Sequence, residues 1–189
     1  MEINGYFYRQ NQKLEFMRND LFRNKYRIPS ARAYWHDYNC GYYFITICTE
    51  KREHYFGEIY DKKMCFSQLG CYTESYINKM NSLLQDSNIL SYVVMPNHVH
   101  LILILDNGWL EKGKADVRQV IGQYKAGVTR EIRTLVPDAN VWQRSFHDHI
   151  IRNQADYERI WLYIEANSQR WEKDCFYAEF ENASYDQGG

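Results

Sequence analysis

Residues 89–105 read Ile-Leu-Ser-Tyr-Val-Val-Met-Pro-Asn-His-Val-His-Leu-Ile-Leu-Ile-Leu. Two apolar runs, Ile89–Met95 and Val99–Leu105, are separated only by Pro96-Asn97-His98, a break that admits a tight reversal and little else. The stretch therefore predicts two antiparallel strands joined by a turn. Apolar residues face both ways along the second run, as on a strand covered on both sides, so it is expected at the centre of a sheet. Side chains two apart on a strand leave the same face. His98 and His100 then project together, while Val99 packs into the opposite layer.

Working outward, Tyr42–Thr49 is rich in β-branched and aromatic residues and predicts a strand. Tyr55–Tyr60 and Met64–Ser67 predict a hairpin. Between Gln68 and Gln85 the apolar positions Leu69, Tyr72, Tyr76, Met80, Leu83 and Leu84 fall at helical spacing. A second helix is expected over Asp116–Leu135, with the apolar stripe Val117, Ile121, Tyr124, Val128, Ile132 and Leu135. Another face of it carries Arg118, Gly122, Lys125, Thr129 and Arg133, a basic stripe with a glycine that permits close approach. After Pro137 a strand is expected over Val141–Ile151, then a last helix from Gln154 to Glu172. Together these predict an α+β fold: a ferredoxin-like antiparallel sheet packed by helices, with an additional C-terminal helix.

The chain has 189 residues, 45% hydrophobic and 25% charged, which suits one domain with a real core. Its five cysteines show no CxxC spacing and are odd in number, so reduced thiols are expected and a disulfide framework is not. The N-terminus lacks a signal-like apolar core and no run approaches membrane-spanning length, so a soluble cytoplasmic protein is expected. A net charge of −1 argues against a protein that coats nucleic acid. The charge is uneven, however: residues 1–35 hold seven Lys/Arg against three Asp/Glu, residues 36–152 thirteen of each, and residues 153–189 three against eight. A basic arm can grip phosphates even on a neutral body. The expected division is a basic arm at 1–35, a domain at 36–175 and a tail at 176–189.

Three groups of residues could carry chemistry. His98 and His100 can offer two imidazole nitrogens to one divalent ion, although two hydrogen-bonded histidines within a sheet would show the same spacing. His147 and His149 repeat that spacing around Asp148. With a polar residue between them they are expected at an edge, exposed or supporting. On the last helix Tyr163 and Asn167 are spaced i, i+4 and share a face, which puts a nucleophilic phenol beside an amide oxygen able to ligate a cation. Tyr157 has Trp161 at that spacing and lies some 240° round the helix from Tyr163.

The stretch Tyr92–Leu105, with its Met-Pro-Asn-His-Val-His core, resembles the metal-binding motif of HUH-type single-tyrosine transposases. Residues 141–153, beginning Val-Trp-Gln-Arg-Ser-Phe, and the helix through Asn167 resemble the branch of REP-associated tyrosine transposases. Arg27–Arg32 and Tyr43–Gly57 add to the likeness, which spans about residues 25–172. It implies that His98, His100 and Asn167 hold Mg²⁺ or Mn²⁺, and that Tyr163 is the nucleophile. Many insertion-sequence relatives carry Gln where this chain has Asn167. It also implies hairpin DNA as target and favours a monomer over a homodimer.

Joined to that resemblance, the residues point to a metal-dependent endonuclease and strand transferase working through a 5′-phosphotyrosine. Its substrate would be single-stranded DNA or a hairpin with a single-stranded flank. Candidate phosphate contacts are Arg23, Lys25, Arg27 and Arg32 in the arm, with Arg118, Lys125, Arg133, Arg144 and Arg152. Two alternatives remain open on sequence: a hairpin-binding protein that does not cut, and a metal-dependent phosphodiester hydrolase using water.

Overall fold

A computed structural model describes residues 40–84, 87–106, 116–174 and 176–177. The arm residues Arg23, Lys25, Arg27 and Arg32 lie outside the described residues, as does most of the tail. Among the described residues there are six strands: β1 (Cys40–Cys48), β2 (Gly57–Tyr60), β3 (Lys63–Phe66), β4 (Ser87–Met95), β5 (His98–Asp106) and β6 (His147–Ile151). The α-helices described with them are α1 (Gln68–Leu83), α2 (Val117–Ile132) and α3 (Gln154–Glu165).

The main sheet runs β4-β5-β1-β6, and every neighbouring pair is antiparallel. Setting aside the small β2-β3 hairpin, the chain follows the βαββαβ order of ferredoxin-like folds, as expected. β5 is central, between β4 and β1. The reversal between β4 and β5 is the two-residue turn Pro96-Asn97, and the pairing closes on Met95↔His98.

Alternation along the strands divides the interior in two. Tyr43, Ile45 and Ile47 of β1, with Val99, Leu101, Leu103 and Leu105 of β5, meet α1 and α2 in the larger core. Tyr42 and Ile102 face the other way and pack on Ile160 and Ile164 of α3. His98 and His100, in phase with Ile102, therefore lie on the α3 side. Helix starts are locally encoded: Ser67 accepts from the Gly70 N–H, Asp116 and Gln119 form a reciprocal capping box, and Asn153 accepts from the Asp156 N–H.

Four details differ from the sequence expectations. The buried ridge of α1 is Gly70, Thr73, Ile77 and Met80, whereas Leu83 is 63% exposed. Small residues win because the helix lies against backbone: a Cβ on Gly70 would sit 2.0 Å from the Phe56 carbonyl oxygen. The glycine of close approach on α2 is Gly127 rather than Gly122. A Cβ on Gly127 would lie 1.9 Å from Cζ of Tyr76, while one on Gly122 meets nothing within 4 Å.

The expected strand 141–151 is regular only from His147. Before it, Lys125 Nζ donates to the carbonyls of Gln143, Arg144 and Ser145 at 2.6, 3.3 and 3.1 Å, and Trp142 Nε1 donates to the Lys125 carbonyl at 3.2 Å. Carbonyls turned toward a lysine cannot join a ladder. The last helix ends at Glu165 and tightens into a 3₁₀ segment, Ser168–Lys173, which brings Trp171 into ring contact with His54 and His98.

Candidate active site

The antiparallel register decides what surrounds the histidines. Opposite residues share a face, and here Cys48 lies opposite His98 and Thr46 opposite His100. His98 is fully buried and His100 is 2% exposed, and their ring centres are 4.5 Å apart.

Each imidazole is oriented by a neighbour. Asn97 Nδ2 donates to the Phe176 carbonyl at 3.3 Å, which turns Asn97 Oδ1 toward His98 Nδ1 at 2.8 Å. A carbonyl oxygen only accepts, so the His98 proton sits on Nδ1 and Nε2 keeps its lone pair. That Nε2 is buried with no hydrogen-bond partner. Thr46 Oγ1 lies 2.8 Å from His100 Nδ1. Burial pushes His100 down to about 3. His98 is also held well below the ordinary histidine range, by burial first and then by the charges of His100, Arg52 and His54. Both rings are therefore neutral near pH 7, the state in which imidazole binds a cation.

Tyr163 reaches this pair from α3. Its hydroxyl lies 3.2 Å from His100 Nε2 and donates to Asp174 Oδ2 at 3.4 Å. Phe44 sits against both rings, with centres 5.1 Å from His100 and 5.9 Å from Tyr163. Asn167, one helical step of four beyond Tyr163, is 2% exposed, and its Oδ1 is buried without a hydrogen-bond partner.

The donor set suits a hard or borderline divalent ion. It holds two neutral imidazoles, one with an unshared buried lone pair; the Asn167 amide oxygen, four residues beyond Tyr163, is likewise buried and unsatisfied. A carboxylate is also at hand: donor atoms of His98, His100 and Asp174 all lie within 4.8 Å of one another. An unpaired buried acceptor costs about 1–3 kcal/mol, which a bound cation would offset.

The other expected residues are placed as follows. His147 and His149 are exposed on edge strand β6, and His149 Nε2 is 2.8 Å from Asp156 Oδ2. Tyr157 packs against Tyr42 and Trp161. Arg118, Lys125 and Arg133 all belong to the α2 layer, across the sheet from the histidines. Arg118 pairs with Asp116, and Lys125 is engaged by the three carbonyls noted above. Arg144 and Arg152 are exposed. Lys125, Thr129, Arg130 and Arg133 line an open surface groove, to which Arg130 adds a cation that the sequence reading passed over.

Sequence reasoning also missed Asn97, Thr46, Arg52 and Asp174. Asn97 could have been found, since it adjoins His98 in a turn and offers both a donor and an acceptor. Thr46 needed the β1–β5 register. Arg52 places its guanidinium 4.0 Å from the centre of the Phe176 ring and donates to Cys48 Sγ at 2.8 Å. No spacing relates Asp174 to either histidine or to Tyr163.

A family model described as IS200-like transposase matches residues 36–167. This chain belongs to that family. The match takes in the whole main sheet, both histidines, Tyr163 and Asn167, and stops before Asp174. The transposase chain is 32% identical to an uncharacterized protein of Haemophilus influenzae Rd, over 74% of this chain and 86% of that one. Its fold is similar to the solved structure of a REP-associated tyrosine transposase bound to a REP hairpin. That likeness has a TM-score of 0.51 at 22% identity and covers 74% of each chain. Among the described residues no helix is long and apolar enough to cross a membrane.

Proposed function

We propose that this transposase cuts and rejoins single-stranded DNA through Tyr163, using a divalent cation held by His98, His100 and Asn167. One observation carries the proposal: the Tyr163 hydroxyl, from α3, lies 3.2 Å from the imidazole of a residue 63 positions earlier. A tyrosine that merely filled the core would have no need to meet the second histidine of a His-x-His pair. Mg²⁺ or Mn²⁺ at this place would act as a Lewis acid on the scissile phosphate.

The side chains around it supply the rest. Asn97 and Thr46 hold the imidazoles in fixed orientations, so little reorganisation accompanies ion binding. Phe44 and the α3 packing hold the Tyr163 ring against His100. Tyr163 Oη would attack phosphorus in line, forming an O–P bond as the bond to the 3′ oxygen breaks. The products are a 5′-phosphotyrosine and a free 3′-hydroxyl. Phosphodiester energy is kept in the tyrosyl bond, so a second 3′-hydroxyl can reverse the step and join new ends.

Hairpin DNA as the partner, and action as a monomer, rest on the resemblance to the REP-associated branch. The hairpin in the related structure also favours the first of these. Phosphates would be gripped away from the chemistry, by Arg130 and Arg133 in the α2 groove and by the exposed Arg144 and Arg152. Arg118 and Lys125 already have protein partners and would contribute by exchanging them. The arm residues Arg23, Lys25, Arg27 and Arg32 keep a role as phosphate contacts in the proposal. Arg52, beside His98, is a cation at the site itself.

The test is a covalent adduct. With Mg²⁺ or Mn²⁺ and a hairpin carrying a single-stranded flank, the wild type should give a shifted band under denaturing conditions. Tyr163→Phe keeps the ring and should abolish that band while DNA binding persists; Tyr157→Phe should leave it in place. Cleavage that continues in Tyr163→Phe would transfer the attack to water.

A further inference from the structure

The proposed ion has a ligand that the family match does not reach. We propose that Asp174, on the segment after the 3₁₀ turn, is the carboxylate ligand of the cation, and that it holds Tyr163 until the ion arrives. The inference rests on the His98/His100 metal reading above and extends it.

Three observations meet at this carboxylate. Its donor oxygen lies within 4.8 Å of the donor nitrogens of both His98 and His100. An octahedral ion with bonds of about 2.1 Å sets its donors about 3.0 Å apart when adjacent and about 4.2 Å apart when opposite, so the three atoms, already clustered, would draw in further around it. His98 Nε2 is fully buried and unpartnered, so the cluster already holds one lone pair with nothing to bind. Finally, Asp174 is anchored for the task. Its Oδ1 accepts from the Phe176 N–H at 2.9 Å, and its own N–H donates to the Trp171 carbonyl at 2.9 Å. Trp171 and Phe176, on either side of it, both lie against the His98 ring, with centres at 6.0 and 4.5 Å.

The remaining oxygen, Oδ2, accepts the Tyr163 proton at 3.4 Å, and His100 Nε2 faces the same hydroxyl at 3.2 Å. The phenol thus rests between two groups that could also ligate an ion. A cation held by Asp174 and His100 would compete with the Tyr163 oxygen for these two contacts. Metal binding and these two contacts to the nucleophile would then exclude one another. Two neutral imidazoles and one carboxylate around a dication leave a net single positive charge to face the phosphate. A site with Asn167 alone would keep both charges but lose affinity.

The experiment is calorimetric titration of the full chain with Mn²⁺, without DNA and independent of activity. Wild type is compared with Asp174→Asn, Asp174→Glu, His98→Ala and Tyr163→Phe, with thermal melts as the check on folding. Asn keeps an oxygen for the Phe176 N–H, so Asp174→Asn should fold. It should lose Mn²⁺ affinity by at least tenfold, with Asp174→Glu recovering part of the loss. Tyr163→Phe should bind Mn²⁺ about two- to tenfold more tightly, because no phenol competes for the carboxylate. Asp174→Asn binding like wild type while His98→Ala fails to bind would overturn the role of Asp174 and leave the histidine site standing. Tyr163→Phe binding no more tightly would overturn the exchange. A wild type that binds no Mn²⁺ would remove both this inference and the metal reading beneath it.

Discussion

Replacing Asn97 with Ala should damage ion binding without touching any proposed ligand. Asn97 Oδ1 is the acceptor for His98 Nδ1 at 2.8 Å, and its Nδ2 holds the Phe176 carbonyl at 3.3 Å. The turn itself should survive. The Asn97 carbonyl accepts from the Thr49 N–H and hydroxyl at 2.9 and 3.0 Å, and Ala retains that carbonyl. What is lost is the acceptor for a fully buried N–H, worth about 1–3 kcal/mol. For a domain of this size each kcal/mol lowers Tm by about 2–4 °C, so a fall of roughly 4–8 °C is expected at the middle of that range. The imidazole also loses its fixed tautomer, which in comparable metal sites costs about 10- to 100-fold in affinity. Differential scanning calorimetry in EDTA reads the first effect and Mn²⁺ titration the second. Asn97→Asp keeps the acceptor and should retain the affinity. If Asn97→Ala binds Mn²⁺ within twofold of wild type, His98 is not oriented by this contact and the lone pair at Nε2 loses its explanation.

Two further outcomes follow from the geometry. Metal-free protein should weaken in acid: burial lowers His100 to about 3, so between there and 6.5 the unfolded chain binds the proton that the native state refuses. That penalty is absent above about 6.5 and grows as pH falls; for His100 alone it reaches about 2 kcal/mol by pH 5, with His98 adding in the same direction. Melts in EDTA at pH 7, 6 and 5 should show the descent, and a flat profile would mean the imidazoles are not buried neutral. On α2, Gly122→Ala should stabilise by about 1 kcal/mol through helix propensity, since its Cβ meets nothing. Gly127→Ala should destabilise by about 1–3 kcal/mol by driving into the Tyr76 ring. Urea midpoints decide it, and Tyr76→Ala should relieve most of the second effect.

Much of the fold was legible because its signals are local. Two apolar runs about a Pro-Asn turn, and a periodic stripe on α2, each declare an element within a dozen residues. The α1 ridge escapes an apolar count because Gly70 and Thr73 carry no apolar weight, yet both are buried and Gly70 lets the helix lie down on the Phe56 backbone. The strand expected from Val141 began late because Lys125, sixteen positions or more upstream, claims the carbonyls it needed. The site divides the same way. The His98/His100 spacing and the Tyr163/Asn167 spacing are properties of single elements and can be read from a string. Asp174, Arg52 and Thr46 arrive through the β1–β5 register and the path of the chain after α3, and no pattern in the string encodes either. The basic stripe of α2 was visible, but its placement across the sheet from the histidines was not. Facing follows from which layer buries Val120 and Tyr124.

The pairing of Thr46 with His100 and Cys48 with His98 also ties the centre to the length of the chain. Because strand faces alternate at every residue, inserting or deleting one amino acid between Met95 and His98 would invert β5. Val99 and Leu101 would then look toward Tyr163, and both imidazoles would be driven among Ile45, Ile47 and Tyr124. Frame-preserving changes of one codon in that turn should therefore be as destructive as deleting the histidines themselves, while the same change in the β2–β3 hairpin, which lies outside the main sheet, would leave the spacing of the centre intact.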